Sequence, residues 1–296
     1  MYLLDSHIIP EGTPPNRLSA YAVGIFPALS SRKGIKKALK RQQLLVDGQL
    51  GQSGTWVSGG QLIQLYERSD SPPKTLPLQL DIPYEDEHFA VVHKPAGLVV
   101  SGNQYRTLYN ALPFNLKASE QIDALPWPLP VHRLDAQTSG LVVVAKTRSS
   151  SASLGKAFEN RQIQKTYHCL AIGKTPASGS FLSPLDGKAA RTHYKLIQQI
   201  PSLRSEYLSL LEIQLETGRT HQIRRHLSEA GYPILGDKLY GKADLVLRGK
   251  GLFLVASAIR FQHPLSAEEI EISTDLPPKF HQFLERETGL WEKWGK

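Results

Sequence analysis

Cysteine is almost absent from this chain of 296 residues, because Cys169 is the only one. A single thiol cannot close an internal disulfide, and it cannot build a structural zinc site of the multi-cysteine type. The ten histidines do not supply metal-site spacing either: His221 and His226 lie five residues apart, whereas one face of a helix repeats after four. We therefore expect no disulfide framework and no metal site.

Long apolar runs are also missing. No stretch of about eighteen apolar residues occurs, so we expect no membrane-spanning helix. The opening residues, MYLLDSHIIPEG, lack the basic and apolar segments of a secretory signal. Hydrophobic residues make up 41% of the chain and charged residues 21%, which is typical of a folded globular protein. These features predict a cytoplasmic protein, with a monomer as the default state.

The charge balance is positive. The chain has 35 Lys and Arg against 27 Asp and Glu, a formal net charge of +8. Six of the ten residues from Arg32 to Arg41 are basic and none is acidic. A solvated surface helix would explain a short run of this kind, but the complete lack of acidic neighbours favours contact with a nucleic-acid backbone. The basic residues are Arg32, Lys33, Lys36, Lys37, Lys40 and Arg41.

The first part of the chain predicts a small αβ domain over residues 15–68. Helical periodicity predicts one helix over Arg17–Phe26 and a second over Arg32–Gln42, with Ser30 or Ser31 as its N-cap. Strands are predicted at Leu44–Val46 and Gln61–Tyr66, with a tight turn at Asp47–Gly48 after the first. The segment resembles the small RNA-binding domain named after ribosomal protein S-four, which implies contact with RNA.

A proline-rich stretch follows, and we interpret residues 69–79 as a linker. Beyond it, residues 80–285 predict a mixed α+β domain with a largely antiparallel sheet, because strands and helices do not alternate strictly. Strands are predicted at Phe89–Val92, Leu141–Lys146, Thr166–Ile172, Tyr207–Leu215 and Glu269–Ser273. Helices are predicted at Ser151–Asn160 and Thr220–Glu229.

The strongest local motif is VHRLDAQTSGLVVVAKT, residues 131–147. It places Asp135 before a step of small residues and then a buried-looking strand, where a carboxylate can be held in a cleft. An Asp that only caps a turn would be the simplest interpretation of this residue alone. The wider pattern points elsewhere, because it resembles the RluA-type pseudouridine synthases over residues 80–282. The matching motifs, in order, are HKPAGL, TLYNAL, HRLD, QKTYHCLAIG, TGRTHQIRRHL, PILGDKLYG and LPPKF.

The resemblance implies roles for individual residues. Asp135 matches the catalytic carboxylate, and Tyr167 the active-site tyrosine that stacks on the target base. Arg224 matches the arginine that pairs with the carboxylate, and Arg133 the one that enters the space of the flipped nucleotide. Four further cations are expected along the RNA path, although each alone is an ordinary surface charge: Lys94, Lys165, Arg219 and Arg225.

The sequence departs from the family pattern at several positions, and these departures bear on the subfamily and the substrate. They are His93, where Asn is usual, VVSG at 99–102, which lacks the usual His-Pro, Ala136 and Gln137, which replace a charged pair, and Val255, which replaces a histidine. No catalytic group is lost.

The implied reaction breaks the bond from uracil N1 to ribose C1′ and rejoins the base through C5, without a cofactor. The carboxylate either attacks C1′ or removes the C2′ proton, and the sequence does not choose between the two routes. Ribosomal RNA is the favoured substrate, with transfer RNA second. Two rival hypotheses are an inactive RNA-binding ribosome assembly factor on the same fold and a small-molecule glycosidase, which would need a second carboxylate.

Overall fold

The structure is a computed structural model, and it describes the backbone of residues 2–67, 73–102, 104–242, 245 and 249–295. The chain divides into two compact units, Met1–Ser71 and Pro72–Lys296. Residues 69–72 of the predicted linker lie outside the described residues. Within the described residues, no helix is long and apolar enough to cross a membrane.

The first unit contains a small antiparallel sheet and two helices. Its elements are β1 (Tyr2–Ile8), β2 (Asn16–Arg17), α1 (Leu18–Tyr21), α2 (Arg32–Lys40), β3 (Leu44–Val46), β4 (Gln49–Leu50), β5 (Trp56–Val57) and β6 (Leu62–Glu67), with a 3₁₀ turn at Pro27–Leu29. Its described strands pair in the order β1-β6-β3-β4, and β2 pairs separately with β5. The sequence did not predict β1, which pairs along β6.

Helix α2 is capped at its start and packs its apolar face into the core of this unit. Ser31 caps it, since its hydroxyl accepts the backbone N–H of Gly34 at 3.1 Å. Ile35, Ala38 and Leu39 are buried at helical spacing, as predicted. The predicted first helix is too long: α1 ends at Tyr21, and Gly24 then adopts a φ of +79°, which a helix cannot continue through.

The second unit is built on a large, mostly antiparallel sheet. Its strands are β7 (Asp81–Glu85), β8 (Phe89–Lys94), β9 (Ala124–Pro130), β10 (Ser139–Thr147), β11 (Gln164–Ile172), β12 (Ser178–Phe181), β13 (Thr192–Ser202), β14 (Glu206–Leu215), β15 (Leu254–Gln262) and β16 (Glu269–Ser273). Its helices are α3 (Leu108–Asn115), α4 (Arg148–Glu159), α5 (Gln222–Glu229) and α6 (Pro278–Trp294). The predicted α+β class is confirmed.

The central strands of this sheet place Tyr167 near the start of β10. The described strands run in the order β12-β13-β14-β11-β15-β10-β8-β7, with β16 added on β15 and β9 on β10. Strands β10 and β15 are parallel. Ala256 of β15 pairs with Gly140 on one side and with Tyr167 on the other. Tyr167 therefore lies two strand spacings, about 10 Å, from the start of β10.

All five strands and both helices predicted for this unit are present, with ends that differ by a few residues. The sequence did not predict β7, β9, β12, β13, β15 or α6. Strand β15 is buried at most positions on both faces, so it shows little alternation. Strand β13 carries an irregularity between Leu196 and Gln198, which shifts the alternation by one residue.

Candidate active site

Asp135 stands in the loop directly before β10, and backbone contacts hold that loop. The amide of Thr138 donates to the carbonyl of Asp135 at 3.1 Å and closes a tight turn. The amide of Gly97 donates to the carbonyl of Ala136 at 2.7 Å, which ties the turn to the segment after β8. The Asp135 side chain keeps 22% of its surface exposed. Its carboxylate thus faces a cleft, while its backbone is fixed from both sides.

Lys94 is a buried support for this loop. Its side chain is fully buried, and its ammonium donates to the carbonyls of Pro95, Leu98 and Ala136 at 3.0, 2.7 and 3.2 Å. Burial lowers the pKa of Lys94 to about 8, against the opposing influence of the Asp135 charge. The sequence predicts Lys94 along the RNA path. In the structure its ammonium is instead shared among three carbonyls in the protein interior.

His132 supports the same loop from the other side. Its Nε2 accepts the backbone N–H of Val143 at 3.0 Å, and its ring stacks on Phe158 with 4.5 Å between centroids. Burial, with a smaller effect of the Lys165 charge, lowers the pKa of His132 to about 3. The ring is therefore neutral at pH 7, as an acceptor nitrogen requires.

Tyr167, on β11, lines the same cleft as Asp135. Its side chain is 7% exposed. Burial raises the pKa of its phenol, and the nearby charge of Asp135 raises it further. The phenol stays protonated at neutral pH, so Tyr167 offers the cleft an aromatic face and a neutral hydroxyl.

Arg224 lies between two carboxylates and is held mainly by the one that sequence analysis missed. Its Nε and Nη2 donate to the two oxygens of Asp237 at 2.7 and 2.8 Å, a bidentate buried pair. Its Nη1 is 3.9 Å from Oδ2 of Asp135. Burial alone would lower the pKa of Arg224, but the bonds to Asp237 outweigh it and leave that pKa raised. Arg224 is therefore an oriented, permanent cation beside Asp135.

His221 faces the other oxygen of the Asp135 carboxylate. Its Nε2 is 3.8 Å from Oδ1 of Asp135, and its Nδ1 is 3.0 Å from the hydroxyl of Tyr240. His221 is the N-cap residue of α5 and has a φ of +54°, in the left-handed region that few non-glycine residues adopt. Such strained residues often mark functional sites.

The other predicted RNA-contacting residues occupy three kinds of position. Arg133 is exposed and lines the cleft beside Asp135. Lys165 and Arg219 also line this cleft. Lys165 is half-buried, and burial lowers its pKa. Arg225, next to Arg224 in sequence, points away and pairs with Asp186 at 2.9 Å. The six cations of α2 and its C-cap, Arg32, Lys33, Lys36, Lys37, Lys40 and Arg41, are all exposed.

Known proteins match both the sequence and the fold. A family model described as RNA pseudouridylate synthase matches residues 88–229. A "Ribosomal large subunit pseudouridine synthase D" of Xylella fastidiosa is 34% identical, and the match covers 93% of this chain and 90% of the relative. This chain belongs to the RluA-type RNA pseudouridine synthases. An uncharacterized RNA pseudouridine synthase of Chloroflexus aurantiacus is 36% identical over 91% of this chain and 89% of the relative.

A solved structure shares the fold of the synthase. Human RNA Pseudouridylate Synthase Domain Containing 1 superposes with a TM-score of 0.56 at 23% identity, covering 71% of this chain and 86% of that chain. The sequence did not predict site roles for His221, Asp237 and Tyr240 of the present chain. All three fall within motifs that carry the family resemblance, TGRTHQIRRHL and PILGDKLYG. The motifs mark the segments, but the contacts among them arise only in the folded chain.

Proposed function

We propose that this synthase isomerises uridine in the ribosomal RNA of the large subunit, with Asp135 as its catalytic carboxylate. The names of several relatives specify the large ribosomal subunit. The position of the Asp135 side chain is the observation that supports its catalytic role. Its carboxylate faces a cleft, lies between Arg224 and His221, and shares that cleft with Tyr167. Transfer RNA is the second candidate substrate.

The reaction needs an oxygen nucleophile or base directed at the sugar. Asp135 forms an ester with C1′ as the N1–C1′ bond breaks, or it removes the C2′ proton as that bond breaks. In either route the uracil turns and C5 bonds to C1′, as the ester C1′–O bond breaks or as the proton returns to C2′. The C5 proton then leaves to solvent, and N1 takes up a proton. Arg224 places a fixed positive charge 3.9 Å from Oδ2 of Asp135. No atom enters the product, and no electron acceptor is needed.

The target uridine must leave its helix before Asp135 can reach the sugar. Tyr167 supplies a buried aromatic face in the cleft, and base stacking on such a ring contributes about 1–3 kcal/mol. Arg133 is exposed beside Asp135 and takes the space that the extruded nucleotide leaves behind. Lys165 and Arg219 contact the neighbouring phosphates.

We further propose a division of labour between two domains. Residues 15–68 bind RNA through the exposed cations of α2, and residues 80–285 carry out the isomerisation. The S-four-like pattern of the first segment supports its role in RNA binding.

The test is Asp135→Asn, which keeps the shape of the side chain and removes its charge. Uridine labelled with tritium at C5 in ribosomal RNA should lose its label with the unaltered protein and at least about 10³-fold more slowly with the variant. Asp275→Asn, at an exposed position, is the matched control and should keep full activity. Normal label release by Asp135→Asn would overturn the assignment. Mapping pseudouridines in ribosomal and transfer RNA from cells with and without the gene decides the substrate.

A further inference from the structure

Tyr240 contacts both groups that flank the carboxylate of Asp135. Its hydroxyl is 3.0 Å from Nδ1 of His221. Its ring lies under the guanidinium of Arg224, with 5.0 Å from the central carbon of that group to the ring centroid. One half-buried side chain therefore touches the neighbour of Oδ1 and the neighbour of Oδ2.

Both flanking groups lie slightly beyond hydrogen-bond distance from Asp135, at 3.8 Å for His221 and 3.9 Å for Arg224. Whether they orient the carboxylate then depends on how firmly each is held. Arg224 has the bidentate support of Asp237. For the ring of His221, the hydroxyl of Tyr240 supplies the hydrogen bond, and the left-handed backbone of His221 makes such support more important.

The segment that carries Tyr240 is tightly packed. A Cβ on Gly236 would collide with the carbonyl of Gly251, and a Cβ on Gly241 would collide with the carbonyl of Asp237, so the backbone is tightly packed at both ends. The hydroxyl of Ser228, on α5, donates to the carbonyl of Tyr240 at 2.8 Å. This hydrogen bond links the segment to α5.

We propose that Tyr240 is a positioning residue for Asp135, acting through the hydrogen bond to His221 and the ring contact with Arg224. This inference rests on the proposed role of Asp135. In this proposal the segment 236–241 orients the carboxylate of Asp135, although the segment supplies no reacting group.

The first experiment is Tyr240→Phe, which removes only the hydroxyl and leaves the ring under Arg224. Losing one orienting hydrogen bond should lower kcat about three- to tenfold. KM for ribosomal RNA should stay unchanged, and Tm should move by no more than about 4 °C. Tyr232→Phe removes a hydroxyl from a tyrosine that packs against the main core and should keep the normal kcat. Tyr240→Phe with normal kcat would overturn the proposal.

The second experiment asks whether the hydroxyl acts through His221. In a double-mutant cycle, Tyr240→Phe should lower kcat in the normal background and have no further effect in His221→Gln. In protein labelled with ¹⁵N-histidine, Tyr240→Phe should shift the ring signals of the one histidine, among ten, whose signals His221→Gln removes. Additive losses of kcat, or unshifted His221 signals, would show that Tyr240 does not act through this ring.

The two proposals fail in different ways. If Asp135→Asn retains activity, the proposed function is wrong whatever Tyr240 does. If Asp135→Asn is inactive and Tyr240→Phe is normal, only the positioning role is wrong.

Discussion

At the scale of single residues, the pairing of Arg224 decides how the site is stabilised. The family resemblance pairs Arg224 with Asp135, but the bidentate partner in the structure is Asp237. The Asp237 side chain is fully buried, whereas that of Asp135 is 22% exposed. Removing the guanidinium therefore strands a charge on Asp237 more than on Asp135.

Arg224→Ala should lower the free energy of unfolding by about 3–5 kcal/mol, because the buried carboxylate of Asp237 loses its bidentate cation. It should also lower kcat. Urea unfolding at pH 7 measures the first effect and tritium release the second. Arg224→Lys should be impaired as well, since an ammonium cannot reproduce the planar fork.

Arg225→Ala is the matched control for this prediction. Arg225 pairs with Asp186, whose side chain is 72% exposed, and an exposed pair contributes about 0–1 kcal/mol. Equal destabilisation by Arg224→Ala and Arg225→Ala would contradict the importance of the Asp237 pair.

Sequence motifs identify residues that line the cleft, but they do not show which charged side chains are buried. Asp135, Tyr167 and Arg224 follow from the family motifs, and the structure places them around one cleft. Lys94 follows from a motif too, but its position in the core depends on three carbonyls that no sequence pattern encodes. Charge type is visible in a sequence, whereas burial of that charge is not.

At the scale of elements, the parallel contact between β10 and β15 brings the site together. Gly140 pairs with Ala256 at the start of β10, five residues after Asp135. Gly140 has a φ of +118°, and a Cβ there would collide with the backbone of Ala256. A side chain at this position would push apart the strands that carry and neighbour the site.

Gly140→Ala should lower the free energy of unfolding by at least about 2 kcal/mol, from overpacking and backbone strain together. It should also reduce activity, because the Asp135 loop leads directly into this strand. Chemical unfolding followed by circular dichroism gives the stability, and tritium release gives the activity.

Gly155→Ala serves as the comparison within the same unit. Gly155 lies in α4, where a Cβ would meet nothing within 4 Å, so the change should stabilise by up to about 1 kcal/mol. A neutral Gly140→Ala would contradict the close approach of β10 and β15.

Element prediction succeeded where periodicity was clear. Helix α2 has a narrow apolar stripe among cations, and β16 alternates along Glu269–Ser273. The sequence did not predict strand β15, because most of its positions face protein on both sides of the sheet. Such burial removes the alternation of apolar and polar residues that reveals a half-exposed strand.

At the scale of the whole molecule, positive charge is both abundant and locally concentrated. The net charge is +8, and every cation of α2 is exposed while the apolar stripe of this helix is buried. Charge changes on this surface should alter RNA binding without disturbing the fold.

The triple change of Lys36, Lys37 and Lys40 to Gln should weaken binding to a ribosomal RNA fragment. The plot of log affinity against log salt should become shallower by up to about 2.7, since each lost phosphate contact contributes about 0.7–0.9. The rate of tritium release at saturating RNA should not change. Fluorescence anisotropy at several salt concentrations measures the slope.

The same number of charges removed elsewhere is the control for this triple variant. Lys117, Lys195 and Lys293 are exposed and lie in the second unit. If their change to Gln flattens the slope equally, net charge rather than α2 governs binding.

The sequence by itself determined the family, the α+β class and the basic helix, and it marked Asp135, Tyr167 and Arg224 as candidate site residues. These depend on residue order and local periodicity, which a linear chain displays directly. The tertiary structure alone decided that Arg224 pairs with Asp237, that Lys94 is buried, and that Tyr240 supports His221. The reason is physical: hydrogen bonds and burial join residues that only the packing of the sheet and α5 brings within 3 Å of each other.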